Sequence, residues 1–180
     1  MQSSPDERAV GLIADYCGFL REAAFILTML CESPPAERRD MFDTLVGVES
    51  ESSATYVVLS HALADSSAPQ TRWHGEAGHL TESLHACFEA LVSSGATLLD
   101  VTATENAPDI RRQCDRIQDA TQTLGRSWHE SQEPLRTERL LRSIEGDVSA
   151  LNRSLESGGV GTLDRDQDHP NVARTPAPSR

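Results

Sequence analysis

Residues 106–128 read NAPDIRRQCDRIQDATQTLGRSW, and the order of residue types in that stretch decides the fold. Asn106 stands before Ala107 and Pro108, with Asp109 one residue further on. A proline in the first helical turn loses an N–H that has no partner within the helix, and an acid there meets the positive end of the helix dipole. From that start Ile110, Cys114, Ile117, Thr121, Leu124 and Trp128 recur at alternating steps of four and three. The spacing puts one apolar seam along an α-helix.

The same punctuation recurs along the chain. Ser4-Pro5-Asp6-Glu7 is a capping box with proline at the first helical position. Ser33-Pro34-Pro35, Ser67-Ala68-Pro69-Gln70 and Ser131 ahead of Glu133-Pro134 follow the pattern. Five starts predict helices over about 5–31, 34–65, 69–102, 107–130 and 133–156. The first carries Val10, Ile13, Cys17, Leu20, Ala24, Leu27 and Cys31; the last carries Leu141, Ile144, Val148, Leu151 and Leu155. The expected fold is therefore all-α, an antiparallel bundle of about five helices over residues 5–156, with sequential helices as neighbours. Beyond Glu156 come Ser157, three glycines by 161, and a polar mixture whose sizeable hydrophobes are Val160, Leu163 and Val172. Residues 157–180 are expected to be a disordered tail, too poor in apolar surface to offset the entropy of ordering.

A single domain of 180 residues buries roughly 70% of its unfolded surface, so neither disulfides nor a structural metal is required. The 16 basic residues against 28 acidic ones leave a formal net charge of −12, which speaks against nucleic acid and anionic membranes as partners. Every basic residue is arginine. That removes Schiff-base lysines, the P-loop lysine and any amine base. Cys17, Cys31, Cys87 and Cys114 show no Cys-x-x-Cys spacing and fall on apolar stripes, as small hydrophobes do. The polar, acid-containing amino terminus is no secretory signal, and the apolar run Ala23–Leu30 is far short of the ~20 residues that span a bilayer. A cytoplasmic protein without membrane insertion is expected.

Chemistry is confined to a few places. The second helix interrupts its own seam with Glu49-Ser50-Glu51-Ser52-Ser53-Ala54-Thr55, where Ser52 and Thr55 take apolar positions. An unpaired buried polar group costs ~1–3 kcal/mol, so the stretch is expected to be a hydroxyl-to-backbone network, an exposed flank of a loosely packed helix, or carboxylates gathered with others on a cation. On the third helix, Glu76-x-x-His79 and Glu82-x-x-His85 match the unit of di-iron carboxylate bundles, but both lie on one helix and point to different sides. Glu82, His85 and Glu89 share a face. His61, in Ser60-His61-Ala62-Leu63-Ala64-Asp65, looks like the phosphoacceptor segment of histidine phosphotransfer domains, with Ala64 and Asp65 in place of that family's Lys-Gly. No Gly-x-Ser-x-Gly and no phosphate-cradling glycine loop is present, so no enzymatic activity is expected.

With the helices placed, the chain resembles the PhoU-like phosphate-transport regulators, especially the accessory proteins of Pit-type phosphate permeases. Val48-Glu49-Ser50-Glu51-Ser52-Ser53 sits where that family has a Glu/Asp-x-x-x-Asp motif, with Ser53 at the Asp position. Ser143-Ile144-Glu145-Gly146-Asp147-Val148-Ser149 looks like the second such motif, and Leu80-Thr81-Glu82-Ser83-Leu84-His85 like the family's acidic stretch on its third helix. Pro69 and Arg72 are similar to the segment entering that helix. The resemblance covers about residues 8–156 and lacks a sixth helix. It implies two three-helix units, the second either incomplete or completed by a partner chain, and a homo-oligomer is expected. It further implies docking onto a phosphate permease or its sensor kinase, and Glu49, Glu82, His85 and Glu145 as ligands of a divalent metal. A general helical dimerisation module is the alternative, and phosphotransfer through His61 a third.

Overall fold

A computed structural model of the chain describes residues 5–64, 72–100, 106–130 and 134–158. It holds five helices: α1 Pro5–Glu32, α2 Pro35–Ala64, α3 Arg72–Asp100, α4 Ala107–Glu130 and α5 Pro134–Gly158. No strand occurs among the described residues. The all-α expectation holds, and the proline-marked starts fall within a few residues of the observed ones. The expected tail lies, from residue 159 onward, outside the described residues.

The caps explain the boundaries. The carbonyl of Pro34 accepts from Glu37 N at the start of α2, and the carbonyl of Asn106 accepts from Asp109 N and Ile110 N, each at 3.0 Å. The Asn106 side chain does not turn back on its own helix. Its amide donates to the Ser154 carbonyl at 2.9 Å, tying the start of α4 to the last turns of α5.

Contacts define the arrangement. α1, α2 and α3 touch one another pairwise, α4 and α5 pack together, and this pair lies against the first unit through α1·α4 and α3·α5. Four helices thus form a square in the order α1–α3–α5–α4, and α2 lies outside it along the α1–α3 edge. Glu32 meets Arg111 and Cys17 meets Gly125, so α1 and α4 run antiparallel. Ser94 donates to Asn152 Oδ1 at 2.5 Å, while Leu80 and Leu141 wall one small groove nearer the other end, so α3 and α5 run parallel.

One expectation fails here. Sequential helices were expected to be neighbours, yet α3 and α4 make no contact and stand diagonally across the square. The reason is the seam of α4: Ile110, Cys114, Ile117, Leu124 and Trp128 are all buried and face the broad apolar surface of α1 and the stripe of α5. α1 can take α4 on one side and α2 and α3 on the other because it buries two adjoining columns. One is Ile13, Cys17, Leu20, Ala24 and Leu27; the other is Ala9, Tyr16, Ala23 and Leu30.

Three threonines on the seams are satisfied without leaving their helices. Thr28, Thr81 and Thr121 donate to the carbonyls of Ala24, Ala77 and Ile117, each one turn back, at 3.1, 2.7 and 2.7 Å. Arg38 brings a charge into the interior, 4% exposed, with Nε on the Ser33 carbonyl and Nη1 on the Leu98 carbonyl, both at 3.0 Å. It sets a cation against the carbonyl ends of α1 and α3 together, where the helix dipole favours positive charge.

Two glycines permit close approach. A Cβ on Gly95 of α3 would meet Leu45 Cδ2 at 2.6 Å and the Phe42 ring at 3.3 Å, and one on Gly125 of α4 would meet Cys17 Cβ at 3.2 Å. Gly47, by contrast, faces open space. Gly95→Ala is therefore expected to lower stability by about 1–2 kcal/mol after its gain in helix propensity. Gly47→Ala is expected to raise stability by ~0.5–1 kcal/mol. Urea denaturation of the two variants beside the parent checks both signs.

Candidate functional site

The polar interruption in α2 has a partner that the seam pattern alone does not reveal. Tyr16 of α1 is fully buried, and its hydroxyl lies 2.8 Å from His85 Nδ1 on α3. A buried phenol needs a partner for its O–H. The imidazole supplies it: the hydroxyl and Nδ1 share the hydrogen bond, and Nε2 lies 3.5 Å from Glu89 Oε1, one turn further along. Tyr56 of α2 stacks on the same imidazole, ring centroids 4.1 Å apart and planes 13° apart. Phe19 and Phe88 meet the Tyr16 ring edge-on at 6.4 and 6.3 Å.

Ser52 closes the group. It is fully buried, donates to the Glu49 carbonyl at 2.9 Å, and is within hydrogen-bonding reach of the Tyr16 phenol. At Ser52 the α2 interruption is a hydroxyl-to-backbone network, while Ser50, Glu51 and Ala54 lie on an exposed flank. The cluster is a lock between α1, α2 and α3. Burial, more than any neighbour, raises the Tyr16 phenol well above its ordinary 10.0, which makes it a poor base and a poor nucleophile.

The four metal candidates do not come together. Glu49 lies on α2 and Glu82 and His85 on α3, on the side of α3 that faces α2. Glu145 lies on α5, close enough to Cys87 to raise its thiol, and α5 makes no contact with α2. Among the described residues no three His, Cys, Asp or Glu side chains gather closely enough to hold a metal ion. The physical reason is the placement of α2 and α5 on opposite flanks of α3, so a shared register along the sequence does not become a shared site. His79 likewise faces the α4–α5 end of the molecule beside Trp128 and Leu141, away from His85.

The remaining reactive groups are no better placed for chemistry. All four cysteines are buried thiols outside any disulfide. The thiols of Cys17, Cys87 and Cys114 are pushed up to about 12 by burial, and a thiol held protonated is inert as a nucleophile or ligand. His61 is exposed in the last turn of α2, where a cation suits the helix end. An open groove of about 740 Å³ runs along α1, floored by Ala14 and Gly18 and walled by Phe19 and Phe25, with Thr55 of α2 and Gln118 of α4 at its sides. No helix among the described residues is long and apolar enough to cross a membrane. No protein-family model, curated protein or solved structure matches the chain.

The buried thiols and phenol fix a pH dependence. In the unfolded chain the thiols ionise near 9.0 and the phenol near 10.0, whereas the folded protein holds the three thiols protonated to about 12 and the phenol beyond that. The unfolded state then binds fewer protons, and stability falls as pH rises. This contribution is fully present below about pH 8 and is lost progressively as the pH climbs through the folded values. Urea midpoints in reducing buffer should drop markedly between pH 7.5 and 10.5; a level profile would contradict the burial of these groups.

Replacing Tyr16 by Phe removes the hydroxyl that His85 and Ser52 face while keeping the ring. It is expected to cost about 1–3 kcal/mol, read as a lower denaturation midpoint with unchanged helical circular dichroism.

Proposed function

We propose that this chain is a non-enzymatic regulatory adaptor, related to the PhoU-like accessory regulators of phosphate transport, that works in the cytoplasm by docking a protein partner through its helices. The observation that carries this is the condition of α2. Over 30 residues it buries only Arg38, Leu45, Val48, Ser52 and Leu59, and its outer surface shows Val46, Val57 and Val58 at 41, 53 and 39% exposure. Val46 and Val57 stand eleven residues apart, close to three full turns, so they share one face. A helix held on one side by so few groups, with branched apolar residues on the other, is suited to receive a second protein surface. The division into a three-helix unit and a helix pair supports the family reading, since it parallels one complete unit and one lacking its third helix.

The resemblance supplies the partner class, a phosphate permease or its sensor kinase. Short cytoplasmic loops of membrane proteins are rich in Arg and Lys, and a chain of net charge −12 is complementary to them.

A tagged full-length chain and a Val57→Glu/Val58→Glu variant, each used to capture partners from gently solubilised native cells, test this. Recovery of a permease or its kinase by the parent, at least about tenfold depleted with the variant, is the expected outcome, a loss of ~1.4 kcal/mol or more. Recovery of a response regulator instead would move the function to His61. Equal capture by parent and variant would remove α2 as the docking face.

A further inference from the structure

The groove on α1 lies on a different face from the valines of α2, and its shape and charge point to a single occupant. Arg8, Gly11, Asp15, Gly18, Glu22, Phe25 and Met29 follow one another at steps of three and four on the outer side of the helix. This spacing sets them on one face of the helix. The floor of this face is open: a Cβ on Gly11 or Gly18 would meet nothing within 4 Å. Glycine inside a helix costs roughly 0.5–1 kcal/mol against alanine, and neither residue serves a close approach within the chain. Seven residues beyond Gly18, Phe25 projects 54% exposed, with Met29 at 38% one turn further. A hole and a knob therefore sit on the same face of the same helix, two turns apart.

Related by a two-fold axis, that pair is complementary to itself. We propose that the chain forms a symmetric dimer in which α1 packs antiparallel on α1 of a second copy about an axis between Arg21 and Glu22. This register sets Phe25 of each copy over Gly18 of the other, and Met29 over Ala14. It also brings Arg21 of each chain beside Glu22 of its partner, twice across the axis. Both side chains line the groove, and neither makes an ion pair among the described residues. The chain's own residues 159–180 are a poor occupant. Three Asp balance three Arg there, three prolines interrupt it, and no apolar stripe is present. The dimer does not depend on the adaptor reading, which concerns α2.

Sedimentation velocity of the full-length chain at about 50 µM tests the dimer, which at that concentration requires a Kd of tens of micromolar or tighter. The parent should sediment as a dimer. Gly18→Leu fills the hole and Phe25→Ala removes the knob, both at surface positions, so each should be monomeric with unchanged helical circular dichroism. Arg21→Glu and Glu22→Arg should each weaken the dimer about tenfold or more by placing like charges across the axis. The double variant R21E/E22R restores opposite charges and should recover it. A monomeric parent, a Gly18→Leu dimer as tight as the parent's, or no recovery in the double variant would each overturn the proposal. A monomeric parent that still captures a partner through α2 would overturn the dimer alone.

Discussion

The pairing of α1 with α3 is the constraint on which the rest of the molecule depends. These two helices form the wall shared by the three-helix unit and the four-helix square, so each must be apolar through a wide arc. α1 meets that demand with two adjoining buried columns, and α3 with Leu80, Leu84, Cys87, Phe88, Leu91 and Leu98. A wall buried from both sides has little solvent in which to discharge polar groups. That is why its tyrosine and histidine must satisfy each other, and why its hydroxyls fold back onto their own backbone. The Tyr16–His85 contact is thus a consequence of sharing, and it makes the register of α1 against α3 specific where leucines alone would tolerate sliding.

Much of this fold is legible in the sequence, for a local reason. Proline and side-chain caps mark helix starts through contacts a few residues long, and a seam such as Ile110 to Trp128 records only that one face is buried. What lies opposite that face is not a local property. The seam of α4 would serve equally against α3 or α1, and the choice follows from the second column of α1, in which Tyr16 and Ala23 look unremarkable beside Cys17 and Ala24. The same limit separates the candidate residues. Ser52 and His85 stand out as polar groups on or beside apolar stripes, and both belong to the inter-helix lock. Tyr16 was the missing member, and its signal was the need of two polar positions on other helices for a buried partner. Glu49 and Glu145 match motifs on their own helices, but distance between α2 and α5 is set by packing that neither motif encodes.

Charge acts at two ranges in this protein. The excess of acid is spread over exposed helix faces, where pairs such as Arg39 with Asp43 at 3.5 Å are worth little individually. Buried charge is represented by Arg38, whose two carbonyl contacts gather the ends of α1 and α3 at one corner. Guanidinium suits that place because its fork reaches two acceptors at once and its weak hydration makes burial less costly than for an ammonium.

The anchoring of α2 also has a consequence for motion. Four of its five buried side chains lie at or before Ser52, leaving Leu59, with the partly buried Tyr56 and Leu63, to hold the final turns. Detaching this helix exposes one edge of α1 and α3 but leaves the square of α1, α3, α5 and α4 closed. Partial opening should therefore proceed as a peel from the Ala64 end toward Arg38, at a free energy well below that of global unfolding. Amide hydrogens of α2 then exchange in a graded series along its length, while those of α1 exchange only when the whole domain unfolds.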